Sequence, residues 1–256
     1  MRPRSLHGGR HELGQNFLVH RPTLDRIVSI VGDTTGDILE IGAGDGALTV
    51  RLARLRRDLT AIEIDGSRVD VLRRRLPHVA VEHADVLRHP LDVPVIVGNV
   101  PFHLTTPILR RLLGRRRWHV AVLLTQWEVA RKRAGVGGGT MMTAQAAPWF
   151  VFALRGRVPA DGFRPRPAVD GGLLVIARRE RPLVPDAERR AYERFVRAVF
   201  AGPGRGVADM VRNATGAPAG RVRRVLGGRD IDPRRLPRDL SAADWAALWA
   251  ELGRRP

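Results

Sequence analysis

The sequence predicts an α/β fold in which a Rossmann-like, parallel sheet is followed by a small all-helical region. Three observations carry this. Short apolar, β-rich runs recur at 37–41, 59–64, 79–82, 93–97, 120–124, 150–154 and 172–177. Helical stretches separate the first five, and strands alternating with helices at this spacing specify βαβ units. From about residue 180 no β-rich run remains and the pattern turns to amphipathic helix.

The elements follow in order. Residues 1–21 are a basic arm ending in Gly14-Gln15-Asn16-Phe17-Leu18, and a helix is expected over 22–31. The strand at 37–41 runs into the glycine loop Gly42-Ala43-Gly44-Asp45-Gly46, a helix follows over 47–55, and the next strand ends in Glu63-Ile64-Asp65. The α/β region is expected over 22–179, with Arg181-Pro182-Leu183-Val184-Pro185 linking it to a helical domain over 180–256. There, Phe195, Val196, Val199 and Phe200 share one helical face. Trp245, Leu248, Trp249 and Leu252 repeat that spacing behind Ser241 and Asp244, which fit a capping box. Aromatic residues at this spacing are expected to be core. Gly137-Gly138-Gly139 reads as a flexible turn.

Composition narrows the function classes. No cysteine is present, which removes disulfides, thiolate metal sites and cysteine nucleophiles. No apolar run reaches the ~20 residues of a membrane span. A cytoplasmic protein is expected, without a membrane or metal partner, and monomeric. The net charge of +18 points to a polyanion, nucleic acid first. Lys132 is the only lysine, although an arginine bias also follows from a GC-rich genome.

The glycine loop lies where open α/β sheets bind ligands. Gly42, Gly44 and Ala47 satisfy the G-x-G-x-x-G/A pattern and Glu63 stands 21 residues after Gly42, so a nicotinamide dinucleotide and S-adenosylmethionine both fit. Two details favour the sulfonium cofactor. Asp45 puts a carboxylate where a pyrophosphate would sit, with no compensating cation nearby in sequence. Asp85, after the third strand, is placed to accept from an adenine amine as Glu63 accepts from ribose hydroxyls; in isolation it reads first as a turn- or helix-capping carboxylate, and the ordered series of glycine loop, Glu63 and Asp85 at successive strand ends is what favours the ligand role.

Asn99-Val100-Pro101-Phe102 follows the fourth strand and is the most specific feature in the chain. An adenine amine is a poor nucleophile because its lone pair is delocalised into the ring. It must pyramidalise to attack a methyl group, and acceptors on both N–H bonds favour that change. The Asn99 side-chain oxygen supplies one acceptor, and the Val100 carbonyl, held extended by Pro101, supplies the other. Phe102 offers a face for an extruded base. A strand-ending turn is the structural alternative.

Taken together, Gly14 to Leu18, Glu40 to Gly46, Glu63-Ile64-Asp65, Ala84-Asp85-Val86 and Gly98 to Phe102 resemble the ribosomal RNA adenine N6-methyltransferases. The likeness continues through Thr125 to Ala130 and Phe163 to Asp170. Within that superfamily the chain is most similar to the erythromycin-resistance (Erm) enzymes. Those methylate one adenosine in the peptidyl-transferase loop of 23S rRNA and so confer macrolide, lincosamide and streptogramin B resistance. The resemblance implies a class I S-adenosylmethionine methyltransferase sheet. It implies that Asn16 and Leu18 line the cofactor and that Gly42, Gly44, Glu63 and Asp85 contact it. Asn99 would read both cofactor and target amine, and Phe102 would stack the base, with Phe163 either closing on its other face or anchoring a loop against the sheet. The alternative is the KsgA-type 16S rRNA dimethyltransferase, which usually has Leu and Tyr where this chain has Val100 and Phe102, and a basic run where this chain reads Phe200 to Gly206. Both departures favour the Erm side.

Arg110, Arg111, Arg115, Arg116 and Arg117 place five cations within eight residues beside the catalytic motif, and Arg164 and Arg166 flank Phe163. These are the expected RNA contacts, with 23S rRNA as the partner; the helical domain over 180–256, less concentrated in charge, is expected to serve RNA binding and packing alike. Arg131, Lys132 and Arg133 read equally as a solvated face. A nicotinamide oxidoreductase would have no use for Asn99 to Phe102, and a non-catalytic RNA-binding protein would not need them intact.

Overall fold

The structure, a computed structural model, describes residues 16–254; the basic arm before Asn16, including Gly14 and Gln15, lies outside the described residues. Two units form. One contains the described residues through Ala130 together with Ala153–Ile176, and the other contains Arg131–Phe152 together with the residues from Ala177 onward.

In the first unit the chain runs β1 (Phe17–Leu18), α1 (Arg21–Gly32), β2 (Ile38–Ile41), α2 (Thr49–Leu52), β3 (Leu59–Glu63), α3 (Gly66–Arg75), β4 (Ala80–His83), β5 (Val95–Asn99), α4 (Thr105–Gly114) and β6 (Val120–Gln126). Next along the chain come α5 (Trp127–Arg133), α6 (Met141–Ala146), which belongs to the second unit, β7 (Phe150–Val158), which begins there, β8 (Phe163–Arg164) and β9 (Gly171–Arg178). Seven strands form one sheet in the order β4-β3-β2-β5-β6-β9-β7, with β2 to β6 paired in parallel. The chain moves outward from β2 to β4 and then returns to place β5 on the other side of β2. That reversal opens a crevice at the carboxyl ends of β2 and β5, the ligand position of open α/β sheets. It also explains why the glycine loop and the Asn99 turn become neighbours.

The sequence pattern builds these elements directly. In α1, Thr23, Leu24, Ile27 and Val31 are buried at helical spacing, and Pro22 occupies the first turn, where it costs no hydrogen bond. Ile38, Ala61, Val95, Val97, Val122 and Leu124 form the sheet side of one core, against Leu24, Ile27 and Val31 of α1 and Leu72 of α3. Between β4 and β5 the expected helix is absent. Residues 84–94 form turns and bends, because the Asp85 side chain accepts from Leu87 N at 2.8 Å and Pro90 and Pro94 break any continuing helix. The helix expected over 47–55 is one α-turn, α2, followed by a 3₁₀ turn over Ala53–Leu55.

In the second unit, α6 packs with α7 (Arg189–Ala201), which is followed by α8 (Val207–Thr215), α9 (Ala219–Gly227) and α10 (Ala242–Leu248). Tyr192, Phe195, Trp245 and Trp249 pack by ring contacts, with Tyr192 and Trp249 edge to face at 6.0 Å and Phe195 and Trp245 at 6.1 Å. Trp245, Leu248, Trp249 and Leu252 are all buried, as their spacing predicts. The capping box forms in both directions: Ser241 Oγ accepts from Asp244 N at 3.1 Å and Asp244 Oδ2 accepts from Ser241 N at 3.0 Å.

Candidate active site

The crevice is a cleft of about 730 Å³ whose lining includes Asn16, Phe17, Gly42, Gly44, Glu63, Asp85 and the whole Asn99-Val100-Pro101-Phe102 turn. The glycine loop and the turn are close enough that a Cβ added at Gly42 would stand 3.7 Å from the Asn99 carbonyl oxygen.

Backbone demands fix the loop. Gly44 has φ +55° and a Cβ there would come within 3.0 Å of the Phe17 ring, so both conformation and space select glycine. Gly98 is selected by space alone, since its Cβ would meet the Ile41 carbonyl oxygen at 2.3 Å. A side chain there would push β5 away from β2 and widen the crevice.

Glu63 is 2% exposed. Its Oε2 accepts from Gly44 N at 2.8 Å, and its Oε1 accepts from Ile64 N at 2.8 Å and Asp65 N at 3.0 Å. The carboxylate therefore clamps the glycine loop to the end of β3, and Oε2 keeps acceptor capacity for a ligand hydroxyl. Two residues before the glycine loop, Glu40 is 1% exposed and its Oε2 has no hydrogen-bond partner among the described residues. Burial pushes its carboxyl up to about 8; the Thr49 hydroxyl opposes the rise and the Glu63 charge adds to it.

Asp85 caps its turn and also lines the cleft. That turn is held by Arg111. Its Nη1 donates to the carbonyls of Val86 at 2.6 Å and His89 at 2.5 Å, and its Nη2 to Arg88 at 3.0 Å. Arg111 is thus committed to the wall of the pocket, whereas Arg110, Arg115, Arg116 and Arg117 are exposed.

Asn99 Nδ2 donates to the Asn16 carbonyl at 2.6 Å, which ties the Asn99 turn to the N-terminal segment and fixes the amide's orientation. Val100 N donates to Leu124 O at 2.9 Å, and Thr105 and Thr125 share a buried hydroxyl pair at 2.7 Å behind the turn. Phe102 is half-buried with its ring on the cleft, while Phe163 is fully buried. The two rings meet edge to face at 6.3 Å and 75°. Phe163 thus offers no exposed face and stands behind Phe102. Its loop is held by Asp170, whose carboxylate accepts from Ala160 N at 2.9 Å and Arg157 Nε at 2.7 Å. Those two contacts, the backbone one first, hold Asp170 below the usual carboxylate range. Arg164 and Arg166 are exposed on the same loop.

Some residues behave differently from their sequence expectations. Leu18 is buried in the core rather than on the cleft, and Phe17 lines the cleft instead. Alternation along β1, paired antiparallel with β8 through Phe17↔Arg164 and Leu18↔Phe163, separates the two side chains. The Arg68 guanidinium sits 4.3 Å from the Phe17 ring centroid and forms ion pairs with Asp45 and, at 3.4 Å, with Asp65. Asp45 therefore has a compensating cation, 23 residues away in sequence. Its charge alone does not rule out a pyrophosphate. Leu104 on the cleft and Arg68 behind Phe17 belong to the site or its support and carry no local sequence signal, whereas Ile64 and Val86, also on the cleft, lie within the Glu63-Ile64-Asp65 and Ala84-Asp85-Val86 motifs.

The profile of the family described as "Ribosomal RNA adenine dimethylase" matches residues 6–248. Mycinamicin-resistance protein MyrB of Micromonospora griseorubida is 51% identical, covering 97% of this chain and 82% of that protein. An rRNA adenine N-6-methyltransferase of Corynebacterium diphtheriae is also 51% identical, covering 80% of this chain and 82% of that protein. Ribosomal RNA small subunit methyltransferase A of Shouchella clausii is 34% identical over 93% of this chain and 88% of that protein. The crystal structure of 23S rRNA methyltransferase ErmE superposes with a TM-score of 0.84 at 30% identity, covering 93% of this chain and all of that one. With the glycine loop, Glu63, Asp85 and the Asn99 turn assembled on one cleft, the chain belongs to the ribosomal RNA adenine dimethylase family of N6-adenine methyltransferases.

Proposed function

We propose that this protein transfers a methyl group from S-adenosylmethionine to the N6 amine of one adenosine in the peptidyl-transferase loop of 23S rRNA, and that the modification confers macrolide, lincosamide and streptogramin B resistance. The observation that carries this reading is the anchored Asn99 amide on the same cleft as the glycine loop and Glu63. Greater identity to a mycinamicin-resistance protein than to the small-subunit methyltransferases favours the large subunit.

The residues present fit S-adenosylmethionine. Gly42 and Gly44 leave room for a ligand along the backbone, Glu63 Oε2 accepts from ribose hydroxyls, and Asp85 accepts from the cofactor's adenine amine. The acidic lining suits a positively charged sulfonium. When bound, the cofactor supplies an electrophilic methyl group whose S–C bond breaks as the N–C bond forms, leaving a neutral thioether.

The protein prepares the nucleophile. Asn99 Oδ1 and the Val100 carbonyl accept the two N–H bonds of the target amine and favour its pyramidal form. Phe102 stacks the extruded base, and Phe163 holds the Phe102 ring from behind. The proton leaves after transfer, when the nitrogen is cationic and acidic, so no strong base is needed. Arg110, Arg115, Arg116 and Arg117, with Arg164 and Arg166, take phosphates around the base, while Arg111 braces the pocket. Asn99→Ala is expected to lower methyl transfer at least ~100-fold, the scale of removing one acceptor aimed at developing charge, with RNA affinity retained. Transfer at the wild-type rate by this variant would remove the mechanism.

A further inference from the structure

Asn16 and Phe17 line the cofactor cleft, but the segment that carries them, residues 16–20, is fastened partly from outside it. One end is fixed at the site, where the Asn16 carbonyl accepts from Asn99 Nδ2 at 2.6 Å and the Phe17 ring packs against Gly44. The other end is fixed on Gly162, whose carbonyl accepts from Val19 N at 2.9 Å and His20 N at 3.1 Å and so uses both its lone pairs. Between the ends, β1 pairs with β8 through Phe17↔Arg164 and Leu18↔Phe163. Neither Gly162 nor His20 is among the described residues that line the cleft.

Gly162 is the rigid member of this contact. It ends the 3₁₀ turn Ala160–Gly162, its own N–H donates to Pro159 O at 2.9 Å, and Asp170 Oδ1 holds Ala160 N at 2.9 Å. Space selects glycine here: a Cβ at 162 would stand 2.9 Å from His20 Cβ, 3.3 Å from His20 Cγ and 3.4 Å from Val158 Cγ1. The strand it seats is only two residues long. A ladder that short is not stable alone, so the position of segment 16–20 depends on the contact with Gly162. When the segment is unseated, the cofactor must reorder it on binding, and affinity falls with the seated fraction.

We propose that Gly162 is a positioning residue for the methyl transfer: with its carbonyl and its missing side chain it seats segment 16–20, so that the loop carrying Phe163 and Arg164 sets the affinity of the cleft for S-adenosylmethionine. The proposal rests on the RNA methyltransferase reading. Gly162 acts through His20 and β1, without touching cofactor or target base. Its effect therefore falls on cofactor binding and not on the chemical step, because a cofactor that has bound has already brought Asn16 and Phe17 to their places.

The test uses the full chain, a stem-loop RNA carrying the target adenosine, and S-adenosylmethionine. Gly162→Ala should raise the KM for S-adenosylmethionine about tenfold, the scale of forcing one methyl group into a packed contact, and leave kcat within about twofold of wild type. Calorimetry without RNA should show the same loss of cofactor affinity. His20→Gly removes both His20 atoms that the new methyl group meets, and glycine is tolerated at a helix N-cap. Gly162→Ala/His20→Gly should therefore return KM to within about twofold of His20→Gly alone, a rescue that general destabilisation would not give. A wild-type KM in Gly162→Ala, or a raised KM that His20→Gly leaves in place, would overturn the proposal. So would a fall in kcat at unchanged KM, which would put the effect on Phe163. If Gly162→Ala does not fold, hydrogen exchange on the wild-type protein decides: S-adenosylmethionine should slow exchange of the Val19 and His20 amides about fivefold, and unchanged exchange would overturn the proposal. A wild-type protein that neither binds S-adenosylmethionine nor methylates the stem-loop would overturn the methyltransferase reading and this one with it.

Discussion

Replacing Glu40 by Gln removes the ionisation of a carboxyl that is 1% exposed and has one unpartnered oxygen beneath the glycine loop. Burial raises this group from 4.5 to about 8, which corresponds to on the order of 5 kcal/mol between its two protonation states. Between those two values the native state holds a proton that the unfolded chain has released. The carboxyl's contribution to stability is therefore full below about 4.5 and is lost as pH rises through about 8. A neutral amide of the same shape has no such dependence. The measurement is the urea midpoint of wild type and Glu40→Gln from pH 5 to 9, followed by tryptophan fluorescence. The two curves should lie close together at pH 5 and separate as pH rises, the variant becoming several kcal/mol more stable by pH 9. Parallel curves, or a variant less stable than wild type at pH 9, would refute the reasoning and place the Glu40 proton elsewhere.

Three further outcomes follow from the geometry. Arg68→Leu removes the cation over Phe17 and the partner of Asp45, so S-adenosylmethionine should bind about 1 kcal/mol more weakly by calorimetry, with RNA affinity unchanged. Arg111→Ala breaks three bonds to the Asp85 turn; it should lower the unfolding temperature and cofactor affinity and leave the salt dependence of RNA binding as it was. Arg117→Ala, at an exposed position, should do the reverse, reducing the salt slope by about 0.7–0.9 at unchanged stability.

Much of this arrangement is legible in the residues. The glycine loop, Glu63 and the Asn99 turn announce themselves because each sits at a strand end where backbone conformation restricts residue choice. The tryptophans at 245 and 249 are core, as their helical spacing predicts. What escaped was long-range. Arg68 reaches Asp45 across 23 residues, and Arg111 reads as one more cation in a basic run although the fold turns it toward three carbonyls. Phe17 and Leu18 trade places because only the pairing of β1 with β8 decides which side chain faces the cleft. The helix expected between β4 and β5 fails locally, through Asp85 capping and two prolines, a signal that was present in the sequence and outweighed by the regularity of the βα pattern.

The decisive measurement is the position of the methyl group. The protein is incubated with labelled S-adenosylmethionine and separate 23S and 16S transcripts, and the modified nucleotide is mapped by primer extension. Label at a single adenosine of the peptidyl-transferase loop of the 23S transcript is the predicted result. Label confined to the 16S transcript would contradict the large-subunit assignment, and label on neither would contradict the proposal that Asn99 to Phe102 hold a target adenine.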